Sequence, residues 1–214
     1  METTRIIAVR HGETAWNADA RIQGKQDIVL NDKGQWQAQR AAQMLADSGE
    51  SFAAIYSSDL ARAHDTARRI GLALGMAVDT DSRLRERGFG VFEGRTFADL
   101  EQAFPHDAAR WRARDPAWAP AGGETLVTLG ERVLAATNAL AQRHTGEQIV
   151  LVAHGGVLDM LYRFATRQPI EAPRTWQLGN ASINRLLWTP QGLSLIGWSD
   201  TRHLDQNWRD EAIS

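Results

Sequence analysis

Short apolar runs alternate with longer segments in which apolar residues recur at helical spacing along most of the chain. An apolar run of four to eight residues between turn residues is typical of a buried strand. Alternating apolar residues near the C-terminal end indicate two further strands, joined by a turn at Pro190-Gln191-Gly192. The predicted strands lie at about residues 5–9, 52–56, 76–78, 149–153, 182–188 and 193–198.

The helical periodicity predicts four long helices, at about residues 32–47, 60–74, 125–143 and 157–166. Short polar side chains at the start of a helix accept hydrogen bonds from its first free amides. Asn31 or Asp32 is therefore the expected cap of the first helix, and Asp59 that of the second. Gly75 is expected to end the second helix, because glycine readily adopts the left-handed conformation found there.

This order of elements predicts an α/β fold, a three-layer αβα sandwich with a mostly parallel central sheet that the C-terminal hairpin makes mixed. The pattern is interrupted between about residues 80 and 123, where glycines and prolines are frequent. We expect this segment to form a small cap inserted over a site on the main body. Since no linker divides the chain, we expect a single domain over residues 1–214.

Composition excludes several classes of function. A net charge of -2 argues against a protein that binds nucleic acid through bulk electrostatics. The chain has no cysteine, which excludes disulfides and thiolate metal sites. It also lacks an apolar run near the ~20 residues that span a bilayer, and its first residues do not resemble a secretory signal. We therefore expect a cytoplasmic protein without membrane or nucleic-acid partners.

Four polar groups each follow a predicted strand. In open α/β sheets the carboxyl ends of the strands meet at one edge, where ligands bind. We therefore expect these groups to lie close together, although each alone would be interpreted as structural or solvated. The groups are Arg10-His11-Gly12-Glu13, residues 57–63, residues 84–90 and His154-Gly155-Gly156.

Together these residue types suit the transfer of a phosphoryl group. Arg10 and Arg62 can each bind phosphate oxygens through two N–H groups. His154 can donate a hydrogen bond, or carry a positive charge if protonated. His11 can attack phosphorus if its ring is neutral, a form that nearby arginines favour. Glu86 is the candidate general acid, because a carboxyl group beside a bound phosphate anion holds a proton more readily.

The segment Arg10-His11-Gly12-Glu13-Thr14-Ala15-Trp16-Asn17 resembles the signature of the histidine phosphatase superfamily, also called the phosphoglycerate mutase-like family. The likeness covers nearly the whole chain, and its ordered motifs make it specific. One departure is Phe92, where relatives often have tryptophan, which concerns packing rather than chemistry. The further blocks that resemble the family are residues 30–38, 57–67, 84–94, 122–125 and 153–157.

The resemblance implies a role for each site residue. His11 would be the phosphorylated nucleophile and Glu86 the proton donor, and no metal or other cofactor would be needed. The implied phosphate pocket consists of Arg10, Arg62 and His154. The positions where family members contact phosphate or substrate correspond to Asn17, Gln23, Gly24 and the backbone amide of Gly155.

Within the family, phosphatases transfer the phosphoryl group to water and mutases return it to the substrate. Mutases resemble one another in a longer insertion after the proton donor and a Tyr-Gly-Gly-like stretch. Residues 88–94 and the compact segment 95–123 resemble the phosphatase branch instead. We therefore expect a phosphomonoesterase that hydrolyses a small phosphorylated metabolite through a phosphohistidine. The alternatives are a 2,3-bisphosphoglycerate-dependent phosphoglycerate mutase and a non-catalytic binder of a phosphorylated ligand.

The expected cap leaves substrate identity open. Arg110, Arg112 and Arg114 are interpreted as a solvated helix face, and the alternative is that one of them binds a second acidic group of the substrate. Trp111 and Trp118 are expected to pack the cap onto the body, with an apolar wall for the substrate as the alternative. The oligomeric state is also open, with a homodimer as one alternative.

Overall fold

The computed structural model describes residues 2–205, which fold around one six-stranded sheet. Six strands and seven helices occur within that part of the chain, with short 3-10 turns between some of them. In chain order they are β1 (Thr4–Arg10), α1 (Ala15–Ala18), α2 (Asp32–Asp47), β2 (Ala54–Ser57), α3 (Ala61–Leu74), β3 (Asp79–Thr80), α4 (Phe97–Ala103), α5 (Pro105–Arg112), α6 (Leu126–Gln142), β4 (Gln148–Ala153), α7 (Gly155–Thr166), β5 (Ile183–Thr189) and β6 (Gly192–Asp200).

The sheet brings the expected strand ends together. Its strand order is β3-β2-β4-β1-β5-β6; the first four strands are parallel, and β5 and β6 are antiparallel. Arg10 lies opposite Ala153, and Ser57 lies opposite Val152. The residues that follow β1, β2 and β4 therefore leave the sheet at nearly the same level.

Helices cover both faces of the sheet, as β1 illustrates. Successive side chains of a strand point to opposite faces. Ile6 and Ala8 belong to the apolar cluster that includes residues of α6 and α7. Ile7 and Val9 belong to the cluster that includes residues of α2 and α3. The predicted three-layer α/β architecture with a mixed, mostly parallel sheet is thus confirmed.

The helix α3 begins differently from the prediction. Asp59 does not cap it, because its carboxylate is engaged by Arg85, whose Nε lies 2.7 Å from Oδ1. The backbone N–H of Ala61 instead donates to Asp27 Oδ1 at 2.7 Å. Asp27 lies in the loop before α2, so the cap comes from a residue distant in sequence.

The third strand also differs from the prediction, since β3 begins at Asp79 rather than at Met76. Gly75 ends α3 in the left-handed conformation, as predicted. The N–H of Met76 then donates to Gly71 O at 2.8 Å, which closes the end of the helix. The backbone N–H of Met76 is therefore bonded to α3 and is not available for the hydrogen bonds of a strand.

The segment predicted as a cap contains two 3-10 turns, at Ser82–Leu84 and Gly90–Phe92, followed by α4 and α5. It has its own apolar cluster, formed by Phe92, Leu100, Ala108 and Trp118. This cluster is separate from those on the two faces of the sheet. The interpretation of the chain as one domain with an inserted cap stays a prediction.

Candidate active site

His11 follows β1 and is 98% buried, with 2% of its surface exposed. Its Nδ1 lies 2.6 Å from Gly12 O. Since a carbonyl oxygen can only accept, Nδ1 carries the proton, and Nε2 of a neutral ring has a free lone pair. Burial, followed by the charges of Arg62 and Arg10, lowers the pKa of His11 well below its ordinary value of 6.5. His11 is therefore neutral at pH 7 and able to act as a nucleophile.

Two arginines, Arg62 buried and Arg10 partly buried, are fixed beside His11 by backbone carbonyls. Arg10 Nη1 donates to Leu178 O at 2.6 Å. Arg62, on the first turn of α3, donates from Nη1 to Gln26 O at 2.7 Å and from Nη2 to Gly24 O at 2.8 Å. Burial lowers the pKa of Arg10 to about 10, which leaves Arg10 charged at pH 7, and burial also lowers the pKa of Arg62. The Nε of each is buried and has no hydrogen-bond partner among residues 2–205.

His154 precedes α7 and lies directly against His11, with the two ring centroids 5.2 Å apart. Its Nε2 lies 2.8 Å from Ser58 Oγ. Ser58 Oγ also accepts the N–H of Leu60 at 3.3 Å, and it can donate its own hydrogen to Nε2. With that donation, the proton of the neutral ring lies on Nδ1, which is buried and has no hydrogen-bond partner among residues 2–205. Burial is the largest cause that lowers the pKa of His154 well below 6.5, so the ring is neutral at pH 7 and can donate from Nδ1.

Glu86 lies over the N-terminal end of α7. The N–H of Gly156 donates to both of its carboxylate oxygens, at 3.1 and 3.0 Å, and the N–H of Arg87 donates to Oε1 at 2.7 Å. The start of a helix favours a negative group. A Cβ at Gly156 would lie 2.3 Å from Glu86 Oε1, so only glycine permits this contact.

The segment between β1 and α2, which includes α1, holds three of the four predicted substrate contacts, whereas Gly155 begins α7. Asn17 Oδ1 accepts the N–H of Thr14 at 3.1 Å, and Gln23 Oε1 accepts the hydroxyl of Thr14 at 2.9 Å. Each amide oxygen is thus used inside the loop, which leaves its NH₂ group to donate to a ligand. Gly24 has a φ of +54°, and a Cβ there would lie 2.0 Å from Glu93 Oε1.

One cavity of about 190 Å³, which we call the first chamber, unites most of the predicted site residues. Two predicted residues are not part of its lining: His154 lies behind His11, and Gly155 lines a neighbouring cavity. A larger cavity of about 450 Å³, beside Met44 and Arg185, contains none of them. The residues that line the first chamber are Arg10, His11, Asn17, Arg21, Ile22, Gln23, Gly24, Arg62, Glu86, Phe89 and Trp111.

The neighbouring cavity, which we call the second chamber, has a volume of about 250 Å³. It shares Glu86, Phe89 and Trp111 with the first chamber, so the two adjoin at the candidate general acid. Asp159 and Arg174 also line it. Sequence reasoning assigned no role to either residue, although an aspartate within the apolar stretch 157–161 of α7 is a signal that could have been followed.

The three arginines near α5 have different environments. Arg110 pairs with Asp115 at 2.7 Å, and Arg112 pairs with Glu101; both arginines are largely exposed, as expected of a solvated face. Arg114 instead turns inward and lines the second chamber. Trp118 is buried in the apolar cluster of the segment itself, with Phe92, Leu100 and Ala108, and not in the clusters of the main body, as packing of the cap onto the body would require. Trp111 packs on three phenylalanine rings and also lines both chambers.

Residues 2–205 hold neither a candidate metal centre nor a membrane-spanning helix. That part of the chain contains no group of three histidine, aspartate or glutamate side chains placed to hold a metal ion. None of its helices combines the length and apolar character required to cross a membrane.

The chain belongs to the histidine phosphatase superfamily, branch 1, whose family model matches residues 6–201. Phosphoglycerate mutase-like protein 4 of Arabidopsis thaliana is 37% identical over 209 residues, which cover 96% of this chain and 89% of that protein. Metal-independent phosphoserine phosphatase of the same plant is 37% identical over 205 residues, which cover 95% of this chain and 84% of that protein. The solved structure of a mycobacterial glucosyl-3-phosphoglycerate phosphatase complexed with VO3 has a TM-score of 0.79 at 34% identity, covering 92% of this chain and 99% of that one.

Proposed function

We propose that this protein is a metal-independent phosphomonoesterase that hydrolyses a small phosphorylated metabolite through a phosphohistidine on His11. The observation that carries the proposal is a set of buried nitrogen atoms that have no hydrogen-bond partner within residues 2–205: Arg10 Nε, Arg62 Nε and His154 Nδ1. All three groups lie on residues beside the His11 ring. Buried polar groups are normally paired, so such a set indicates a ligand that accepts hydrogen bonds.

The charge of the site indicates which ligand. Two guanidinium groups are buried around a neutral imidazole, and the carbonyl oxygens that hold them are uncharged. A phosphate dianion supplies both the missing acceptors and the missing negative charge, and arginine pairs well with its oxygens. The donors are in place before the ligand arrives, which is the arrangement that stabilises charge developing in a transition state.

In the first step, His11 Nε2 attacks phosphorus, the P–N bond forms and the bond from phosphorus to the ester oxygen breaks. The leaving oxygen takes a proton from the carboxyl group of Glu86. The hydrogen bond from Nδ1 to Gly12 O holds the ring in the tautomer that exposes Nε2, and it stabilises the charge that the ring gains.

In the second step, a water molecule gives a proton to the carboxylate of Glu86 and attacks phosphorus. The P–N bond breaks, phosphate leaves, and His11 returns to the neutral form. One carboxyl group thus serves as acid and then as base, since its proton is restored in each cycle. Asn17 and Gln23 would donate to phosphate or substrate oxygens, and the amides of Gly24 and Gly155 would border the same group.

The segment at about residues 80–123 would act as the cap of a single domain, since Glu86, Phe89 and Trp111 all come from it and line both chambers. We keep a cytoplasmic location and a homodimer as predictions. Light scattering coupled to size-exclusion chromatography tests the homodimer directly, because it measures the molar mass of the protein in solution.

The proposal is tested by quenching the enzyme during turnover of p-nitrophenyl phosphate. We expect a phosphoenzyme whose phosphate is labile in acid and stable in base, together with release of inorganic phosphate. Neither adduct nor release would mean that the protein is the non-catalytic binder.

A mutase is the second candidate, because a relative of similar identity carries a phosphoglycerate mutase-like name. Incubation of 3-phosphoglycerate with a trace of 2,3-bisphosphoglycerate separates the two activities. We expect phosphate release to exceed formation of 2-phosphoglycerate. The opposite order of rates would assign the protein to the mutases.

A further inference from the structure

The second chamber contains a buried carboxylate that is only half used. Asp159 Oδ2 accepts from Arg114 Nη2 and from Arg163 Nε, both at 2.9 Å. Oδ1 of the same carboxylate is buried and has no hydrogen-bond partner among residues 2–205. The residue is 96% buried, with 4% of its surface exposed, and it lines the chamber. An acceptor left in this state indicates a ligand that brings a donor.

Arg114 reaches Asp159 from the end of α5. Its φ of +53° is the left-handed conformation in which that helix terminates, and its N–H donates to Trp111 O at 2.9 Å. Its side chain contacts Asp159 Oδ2 at 2.9 Å and Ile170 O at 3.1 Å. Arg114 and Arg163 therefore hold the carboxylate through Oδ2 alone and leave Oδ1 for a ligand.

Helix geometry gives the offset along α7 between Asp159 and Gly156, the residue that contacts Glu86. Gly156, which holds Glu86, precedes Asp159 by three residues on α7, so both lie on the same face of the helix. At 1.5 Å per residue, Asp159 is about 4.5 Å further along the helix axis. A donor that reaches Asp159 would therefore lie two or three carbon atoms from the ester oxygen that Glu86 protonates.

We propose that Asp159 Oδ1 accepts a hydrogen bond from a hydroxyl or ammonium group on the second or third carbon of the leaving alcohol. The protein would thus prefer phosphate esters of polyhydroxy or amino alcohols over those of plain alkyl alcohols. This inference rests on the proposed phosphatase function, and it makes Asp159 a specificity-determining residue.

A merely structural role for Asp159 makes a different prediction. Its ion pairs connect α7 to Arg114 at the end of α5, so loss of the carboxylate could simply displace that segment. Such a displacement would lower the turnover of all esters by a similar factor. A lost hydrogen bond to the substrate would instead affect only esters that carry the donor.

The experiment compares kcat/KM for sn-glycerol 3-phosphate with that for propyl phosphate, and likewise phosphoethanolamine with ethyl phosphate. In the Asp159→Asn variant, the amide oxygen can keep the bonds to the two arginines, while its NH₂ group replaces the free acceptor. We expect wild type to prefer the donor-bearing ester in at least one pair. That preference should fall 10-fold to 100-fold in the variant, about the loss expected for a hydrogen bond to a charged group.

Arg163→Lys is the matched control. Arg163 contacts Oδ2 from a position outside the chamber lining, so the variant weakens the ion pair but leaves Oδ1 in place. Its preference ratio should match that of wild type even if it is less stable. Equal ratios in wild type and Asp159→Asn, or the same drop in Arg163→Lys, would overturn the role of Asp159. Failure of wild type to hydrolyse any ester would instead refute the phosphatase function, and this inference with it.

Discussion

The two chambers differ in the kinds of groups that line them. In the first, Arg10 and Arg62 present donors that backbone carbonyls hold in place, with His154 beside His11 but outside the lining. The second is lined by three arginines and two carboxylates, together with aromatic rings. Apart from the shared Glu86, the first chamber has only cations among its charged side chains, which suit any phosphate group, whereas Asp159 in the second can discriminate between the groups attached to the phosphate. The chemistry and the choice of substrate are thus assigned to separate regions that meet at Glu86.

The elements that build the chambers explain this separation. The reacting part of the first chamber is formed by the end of β1, which the sheet fixes, by the start of α3 and by residues 17–24. The second is formed between one face of α7 and the segment that includes Phe89, Trp111 and Arg114. Changes in the first chamber should therefore affect all esters equally, and the predictions below examine that difference.

The largest effect is expected for His11→Ala, which removes the nucleophile. Turnover should fall by at least about 10⁴-fold for every ester, and the phosphoenzyme should disappear. Phosphate release and the quenched adduct measure this. His106→Ala is the matched control, because His106 is exposed on α5 and should leave both readouts at wild-type values. Retained turnover in His11→Ala would exclude the phosphohistidine.

The next largest effect is expected for replacement of Glu86, which lines both chambers. Glu86→Gln keeps the size of the side chain but cannot donate an acidic proton, so turnover of an alkyl phosphate should fall about 10²-fold to 10⁴-fold. The loss should be smaller for p-nitrophenyl phosphate, whose leaving group needs less protonation. Equal losses for both esters would exclude Glu86 as the acid. The exposed Glu131→Gln variant serves as the control.

A milder change in the first chamber is Arg62→Lys, which keeps the charge but removes the fixed fork held by Gly24 O and Gln26 O. We expect kcat/KM to fall about 10-fold to 100-fold. The factor should be the same for glycerol phosphate and propyl phosphate, in contrast to the selective loss expected of Asp159→Asn. Arg68→Lys, an exposed change on the same helix, is the control. Unequal factors would contradict the separation of the two chambers.

The smallest effect concerns stability against pH. Because the pKa of His11 and that of His154 lie well below 6.5 in the folded protein, the unfolded chain binds more protons below pH 6.5. The stability that the two neutral histidine rings contribute to the folded protein is fully present above pH 6.5 and is lost as the pH falls. Each ring adds a slope of up to about 1.4 kcal/mol per pH unit to the free energy of unfolding.

Denaturant unfolding between about pH 7 and pH 5 measures this slope. His11→Asn should reduce it by up to about 1.4 kcal/mol per pH unit, and His106→Asn should not change it. Variants of the second chamber should also leave it unchanged, since no histidine lines that cavity. An unaltered slope in His11→Asn would show that the ring is not buried in the neutral form.

The prediction from sequence succeeded where the signal is local. Buried strands and periodic helices gave the layers of the fold, and the ends of β1 and β4 gave His11 and His154. It failed where a partner comes from elsewhere in the chain. Asp59 looks like a cap, but Arg85 holds it and Asp27 takes its place. Ser58 belongs to the polar group at residues 57–63 but was assigned no role, because its contact with His154 joins the ends of two strands that are distant in sequence.

The amino-acid sequence by itself determined the layered α/β fold, the position of Arg10 and His11 directly after β1 and the membership of a phosphatase family. These follow from periodicity and from polar groups placed directly after apolar strands, which act over a few residues. Only the tertiary structure decided that Arg114 turns inward while Arg110 and Arg112 stay in solvent. It also decided that one oxygen of Asp159 finds no hydrogen-bond partner in the described part of the chain and that Asp159 lines the same cavity as Glu86. Such features depend on which distant side chains meet in a low-dielectric interior, and spacing along the chain does not encode that.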